Sequence, residues 1–110
     1  MGLPNSGAAY VPRAKVRDYL LSSHHPVGRA KAAFFHGLGF TGETEDRLIA
    51  GILEIARSGR LVAAVESPYG VKYVVEGILT GPTGKAAAVI TVWVVEPNDP
   101  RPRLVTAYPK

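Results

Sequence analysis

The sequence predicts an α+β fold, with about three N-terminal helices packed on one face of a four-stranded antiparallel sheet. The first half of the chain carries apolar residues at helical spacing, and the second half alternates apolar and polar residues between turn formers. Because helices come first and strands follow without an internal repeat, the strands should form an antiparallel meander. A chain of 110 residues suits one core. We therefore expect residues 1–11 to be a flexible lead-in and residues 12–110 to be a single domain.

Three helices are predicted in the first half of the chain, at about residues 13–21, 27–38 and 44–58. Gly39 and Gly59 follow the second and third helices, and glycine is the usual residue just past a helix C-terminus. Thr44 is the expected cap of the third helix, because a threonine hydroxyl can accept a hydrogen bond from a free backbone N–H group.

Lys31 is the most informative residue of the second helix, because it falls inside the apolar stripe of that helix. We place Ala32 and His36 outside the stripe, which comprises Val27, Ala30, Phe34, Phe35 and Leu38. Two interpretations of Lys31 stay open. Its ammonium group could extend past the edge of the sheet into water, or it could stabilise negative charge at the floor of a site.

Four strands are expected at about residues 61–66, 71–80, 85–96 and 103–108. Strict alternation places the hydrocarbon side chains of the last two strands on one face, namely Ile90, Val92, Val94, Val105 and Ala107. We expect that face to pack against the helices. The opposite face would carry Thr91, Trp93, Thr106 and Tyr108, which suit base stacking and phosphate binding or an ordinary half-exposed sheet. Arg103 would add positive charge to this second face.

The amino-acid composition limits the classes of function that this protein can have. Cysteine is absent, so disulfides and thiolate metal sites are excluded. The net charge of +4 allows an anionic partner such as RNA. No signal peptide or membrane span is evident, so we expect a cytoplasmic protein without a membrane partner. Residues 81–85 superficially match a phosphate-binding loop. However, Leu79 stands in place of the first glycine of that motif, and Ala86 stands in place of its serine or threonine. We therefore expect no cofactor.

His24 and His25 lie just before the second helix and are candidates for proton transfer and for binding an anionic ligand. A polar loop ended by Pro26 is the competing interpretation. We expect no metal site, because adjacent histidines rarely converge on one ion, no third ligand has a suitable spacing, and His36 lies on the side of its helix opposite the apolar stripe.

Several segments together resemble a family of small uncharacterised bacterial domains. They are VRDYLL (16–21), HPVGRAKAAFF (25–35), LGF (38–40), YGVKY (69–73), GPTG (81–84), TVW (91–93) and PRLVTAYP (102–109). The resemblance covers nearly the whole chain after the first ten residues.

Two shorter motifs are similar to the barnase–EndoU–colicin–RelE group of ribonuclease toxins. They are the Lys-Ala-x-x-Phe helix at residues 31–35 and the Thr-x-Tyr closing strand at residues 106–108. This resemblance implies helices on one face of an antiparallel sheet and metal-independent RNA cleavage on the other. It also implies that His25 is a general base or acid, that Lys31 stabilises phosphate charge, and that Thr106 and Tyr108 contact phosphate or transfer protons. His24, Thr91, Trp93 and Arg103 would then help to bind RNA.

Two functional hypotheses follow. The first is a toxin-type ribonuclease domain that acts with His25, Lys31, Thr106 and Tyr108. The second is a non-catalytic interaction module, such as the antitoxin or adaptor partner of a small neighbouring protein. A homodimer is compatible with either hypothesis, because an open sheet has edge strands that can pair. The ribonuclease hypothesis requires Lys31 to reach the face that carries Thr106 and Tyr108.

Overall fold

The computed structural model describes residues 2–21 and 29–110. It contains three α-helices followed by four strands, which confirms the predicted α+β class. The helices are α1 (Arg13–Lys15), α2 (Arg29–Gly37) and α3 (Glu45–Ser58). The strands are β1 (Arg60–Ser67), β2 (Gly70–Thr80), β3 (Ala86–Glu96) and β4 (Asp99–Pro109).

The first predicted helix is α-helical for one turn only. It continues as a π-type turn over Val16–Leu20, in which the Leu21 N–H group donates to the Val16 carbonyl at 2.8 Å. The predicted start of the second helix at residue 27 lies outside the described residues. Gly39 lies just past α2 with φ +98°, a conformation that glycine adopts without strain.

A short 3₁₀ turn at Gly42–Thr44 precedes α3 and carries the cap. Thr41 Oγ1 accepts a hydrogen bond from the Glu43 N–H group at 3.2 Å, and Thr44 Oγ1 accepts one from the Thr41 N–H group at 2.8 Å. The capping hydroxyl is therefore that of Thr41, three residues before the position expected from sequence. Glu45 and Asp46 follow in the first turn of α3, where carboxylates favour the helix dipole.

The strands lie in the order β1-β2-β3-β4, and every neighbouring pair is antiparallel. This is the predicted meander. The pairing is irregular at three places. Val62 bulges from β1 opposite β2, Val105 bulges from β4 opposite β3, and the register of β3 with β4 shifts again between Val94 and Glu96. A bulge changes the face to which the following side chains point.

The assignment of faces was wrong. Thr91 and Trp93 of β3 are fully buried beneath the helices, together with Val75 of β2. The residues that the structure describes leave the face of Ile90 and Val92 uncovered, and both residues are only partly buried. We call this second face the open face. Trp93 brings more apolar area to the core than any valine would, and its polar N–H group is satisfied inside.

The Val105 bulge explains the rest of the discrepancy. After it, Ala107 pairs with Thr91 on the buried face, and Tyr108 pairs with Ile90 on the open face. Thr106 pairs with Val92 and also lies on the open face. Thr106 and Tyr108 are therefore on the face away from the helices, as required for a site, whereas Thr91 and Trp93 are not.

The core lies between this buried face and the helices. Phe35 of α2 and Ile52 of α3 are fully buried in it, as is Ala32, which the sequence placed outside the apolar stripe. Close approach between α3 and β2 depends on glycine, since a Cβ at Gly77 would lie 2.9 Å from Ile55.

The N-terminal segment contacts the fold at two places. Leu3 is buried in the core cluster, and Tyr10 pairs in parallel with Arg103 along the outer edge of β4. These contacts show where the N-terminal segment lies but do not measure its mobility, so the flexibility of residues 1–11 stays a prediction.

Within residues 2–21 and 29–110, no helix combines the length and apolar character needed to cross a membrane. The cytoplasmic location stays a prediction.

Candidate functional site

Lys31, Thr106 and Tyr108 meet at the outer edge of β4, and we call them the β4 cluster. The Lys31 Nζ atom donates a hydrogen bond to Thr106 Oγ1 at 3.0 Å. The same Nζ atom lies 5.8 Å from the centre of the Tyr108 ring, within cation–π range. The sequence predicted these three residues as parts of one site, and the structure brings them together.

The position of Lys31 follows from how α2 packs. Phe35 of the same helix is buried in the core, whereas Thr106 lies on the open face. The Lys31 side chain must therefore pass the edge of β4 to reach Thr106. Its long aliphatic stem makes this possible and leaves the ammonium group only partly buried.

Arg103 lies on the same strand and on the same face as the β4 cluster, since it pairs with Val94. Its guanidinium donates to Glu96 Oε1 at 2.9 Å. The backbone of Tyr10 bonds to β4 on both sides of Arg103, accepting from the Leu104 N–H group at 3.1 Å and donating to the Pro102 carbonyl at 2.9 Å. Arg103 is therefore held at the edge of the open face by both neighbours.

Two of the predicted substrate-binding residues do not reach the surface. The Trp93 Nε1 atom donates to Thr91 Oγ1 at 2.8 Å, and Thr91 Oγ1 donates to the Val75 carbonyl at 2.9 Å. Both side chains have no exposed area, so the prediction that they line a working surface is wrong. Their polar atoms are satisfied by hydrogen bonds inside the protein, so a threonine and a tryptophan can be buried in the core.

His24 and His25 lie outside the described residues, so their predicted roles stay predictions. His36 is described and lies apart from the β4 cluster. Its two ring nitrogens are 2.9 Å from the Phe40 carbonyl and 3.0 Å from the Leu21 carbonyl. In the described part of the chain, no group of three or more His, Asp or Glu side chains is arranged to hold a metal ion.

The first residues of β4, which the sequence had suggested as a loop, carry a separate ion pair that shapes this edge. Arg101 donates to both carboxylate oxygens of Asp99, at 3.0 Å and 2.8 Å, and its guanidinium lies 4.7 Å from the centre of the Tyr10 ring. The hydrogen bonds from Arg101 hold the pKa of Asp99 at about 2. Asp99 is therefore charged near neutral pH and fixes Arg101 over Tyr10.

The chemistry of the β4 cluster favours an anion. An ammonium, a hydroxyl and a phenol can all donate hydrogen bonds, and the ammonium carries a positive charge. A phosphodiester has the matching acceptors. A phenol can also transfer a proton, although less readily near neutral pH than an imidazole can.

A concavity of about 410 Å³ lies away from the β4 cluster, between α3 and the turn that joins β2 to β3. Phe40, Arg47, Thr80 and Gly81 are among its lining residues, and none of them belongs to the β4 cluster. Nothing in the sequence singled out Arg47, because a lone arginine in the first turns of a helix is an ordinary surface residue. Size alone gives this cleft no function.

The fold and site define a small α+β domain with a cationic cluster at the edge of a sheet face that residues 2–21 and 29–110 leave uncovered. The chain belongs to the family described as a domain of unknown function (DUF6883), whose model matches residues 2–110. The predicted membership of a small uncharacterised family is thereby confirmed.

One solved structure shares the fold over nearly the whole chain. It is a contact-dependent growth inhibition toxin–immunity protein complex from Klebsiella pneumoniae 342. A chain of that complex aligns with a TM-score of 0.77 and 24% identity, with 96% of each chain covered. No curated protein matches the sequence.

Proposed function

We propose that this chain is a toxin-type ribonuclease domain that cleaves RNA phosphodiesters without a metal ion. The observation that carries the proposal is the hydrogen bond from Lys31 to Thr106 beside Tyr108. It joins, on one open edge, three residues that a ribonuclease would need. The similarity in fold to a chain of a toxin–immunity protein complex supports the toxin-type role.

The proposed reaction is an internal transfer. A base removes the proton of a ribose 2′-hydroxyl, and the 2′-oxygen attacks the adjacent phosphorus. The new O2′–P bond forms as the P–O5′ bond breaks, and an acid protonates the departing 5′-oxygen. The products are a 2′,3′-cyclic phosphate and a 5′-hydroxyl end. Such a reaction needs a base, an acid and cationic stabilisation of the crowded phosphorane.

The residues divide these tasks by their chemistry. Lys31 places its ammonium against the phosphorane oxygens, where negative charge increases most in the transition state. Thr106 orients Lys31 and binds a phosphate oxygen. Tyr108 donates a proton to the leaving group, His25 is the proposed base, and Arg103 binds the flanking phosphate.

The test is an incubation of the purified protein with total transfer RNA in excess chelator. The parent chain should release fragments that end in a 2′,3′-cyclic phosphate, and Lys31→Ala should lower the single-turnover rate by about 100-fold or more. Lys85→Ala is the matched control. Lys85 is exposed in the turn before β3, and its replacement by alanine removes the same positive charge. Uncleaved RNA with the parent chain, or equal loss in both variants, would reject the proposal.

The second candidate is a non-catalytic interaction module. One observation favours it specifically, since the open face exposes apolar side chains such as Val65 at 58% and Ile78 at 66%. The structural relative is a complex of a toxin with an immunity protein. Absence of cleavage by a well-folded parent chain, together with tight binding to a small protein, would favour this candidate. A homodimer stays a prediction and is checked by light scattering on the same samples.

A further inference from the structure

The open face of the sheet is left uncovered by the described residues, although it is not polar. Its centre is aliphatic and runs across β1, β2 and β3. We call this set the aliphatic strip; it comprises Ala63, Val65, Val74, Ile78, Ile90 and Val92. Val65 and Ile78 are more than half exposed. Contiguous exposed apolar surface with a polar rim is typical of a protein interface.

The rim of the strip is predominantly basic. The side chains that reach it are the cations Lys31, Arg60, Lys72, Arg103 and Lys110 and the carboxylates Glu76, Glu96 and Asp99. Each of these carboxylates is already paired with a cation. Lys110 and Arg60 lie 2.9 Å and 3.5 Å from Glu76, Arg103 lies 2.9 Å from Glu96, and Arg101 lies 2.8 Å from Asp99. The face therefore presents a net positive potential around an apolar centre.

The size of the face suits a small protein. Four strands of up to 11 residues, about 4.8 Å apart with a rise of about 3.3 Å per residue, cover roughly 600 Å². With the rim added, this approaches the about 800 Å² that each partner buries in a standard interface. A second copy of this chain would bring a second basic rim to the same place, and the two rims would repel each other.

Nucleic acid alone fits the strip less well than an acidic protein does. Single-stranded RNA binds to aromatic platforms and cationic grooves. On the open face Tyr108 is the aromatic residue next to the strip, whereas Tyr73 packs against the core and the exposed Tyr69 lies in the turn between β1 and β2. Branched aliphatic side chains offer no hydrogen bonds to phosphate and little to a base, but they pack well in a protein interface.

We propose that the open face docks a small acidic protein, which places its own apolar residues on the aliphatic strip and its carboxylates on the basic rim. Because Lys31 and Arg103 belong to the rim, this partner covers the β4 cluster and blocks access of RNA to it. The blocking effect rests on the proposed ribonuclease function, whereas the docking itself does not.

The test uses the Lys31→Ala chain, which is catalytically disabled under the proposal. The probe is the protein encoded by the reading frame adjacent to the gene of this chain. We expect a one-to-one complex with an acidic probe whose affinity decreases as salt increases. Val65→Ser and Ile78→Ser should each weaken binding by about tenfold, and Lys72→Glu by more. These side chains are exposed, so the variants should fold.

Arg57→Glu is the matched control for Lys72→Glu, because it makes the same reversal of charge on α3, on the other side of the sheet. It should bind the probe as the parent does. Hydrogen exchange should show protection at the outward-facing residues and edges of β1 to β4, and not in α3.

Four results would overturn the proposal. They are no binding by the adjacent product, a basic partner, unchanged affinity in the open-face variants, or self-association through this face. If the open-face substitutions weaken the binding of labelled transfer RNA and no protein binds, the open face is an RNA-binding surface instead. Failure of the ribonuclease proposal is seen separately, because it depends on cleavage by the parent chain and not on binding by the Lys31→Ala chain.

Discussion

Lys31 and Thr106 are 75 residues apart in the chain, and their side chains share a hydrogen bond of 3.0 Å across the edge of β4. One residue belongs to a helix that packs on the buried face of the sheet, and the other points to the open face. The lysine thus carries a positive charge from the helical layer to the opposite side of the sheet. This single contact makes a site at the edge of β4 geometrically feasible.

The Thr106 hydroxyl is expected to position Lys31 for catalysis. Thr106→Val keeps the shape of the side chain but removes the acceptor for the lysine, so the ammonium would lose its fixed place. We expect RNA cleavage at saturating RNA to decrease by about tenfold or more, while unfolding in urea changes little. Thr83→Val, in the exposed turn before β3, is the control and should cleave as the parent does. A loss of stability equal to the loss of activity would contradict a positioning role.

The hydrogen bond from Trp93 to Thr91 is expected to stabilise the core. Thr91→Val leaves the buried indole N–H group without its acceptor, and a buried donor left unsatisfied costs about 1–3 kcal/mol. The free energy of unfolding measured in urea should decrease by that amount. Thr106→Val, at a partly exposed position, provides the comparison. Equal stability of Thr91→Val and the parent would show that the indole finds another acceptor.

Glu45 is expected to make stability depend on acid pH. Its side chain is nearly buried and accepts hydrogen bonds from Arg17 and Arg13, which lower the pKa of Glu45 below its ordinary value of 4.5. Because the folded-state pKa is the lower one, this contribution is complete above pH 4.5 and is lost as the pH falls through the folded-state pKa. Glu45→Gln should be less stable than the parent at pH 7, and the difference should shrink below pH 4.5.

The measurement is urea unfolding at several pH values between 2 and 7. Asp99 and Glu76 also have lowered pKa values, but they are present in both proteins and affect the two curves alike. Parallel curves for the parent and Glu45→Gln would show that Arg13 and Arg17 do not stabilise the carboxylate.

Gly81 is expected to tolerate no side chain. A Cβ atom there would lie 1.9 Å from the Leu38 carbonyl oxygen, so either the turn or the end of α2 would have to move. Overpacking of this kind typically costs about 1–3 kcal/mol. Gly37→Ala is the control, since nothing lies within 4 Å of its added Cβ. Thermal unfolding should separate the two variants, and similar melting temperatures would contradict the steric argument.

The local pattern of the sequence determined the fold class, the order of the elements and most of their ends, because helical spacing, strand alternation and turn residues act over a few neighbours. It also singled out Lys31, Thr106 and Tyr108. It placed Thr91 and Trp93 on the wrong face because polar atoms can satisfy each other inside a core, which no local pattern records. It also grouped Thr106 and Tyr108 with Leu104, because a single bulge at Val105 reverses the alternation that follows it in β4.

Only the tertiary structure decided which face of the sheet is covered. Burial is a competition between whole faces, and the area that Trp93 brings to the core outweighs a row of valines. The same packing left an aliphatic strip exposed on the other face and brought Lys31 around β4 to Thr106. Both outcomes depend on contacts between residues far apart in the chain, which the sequence specifies only through the complete fold.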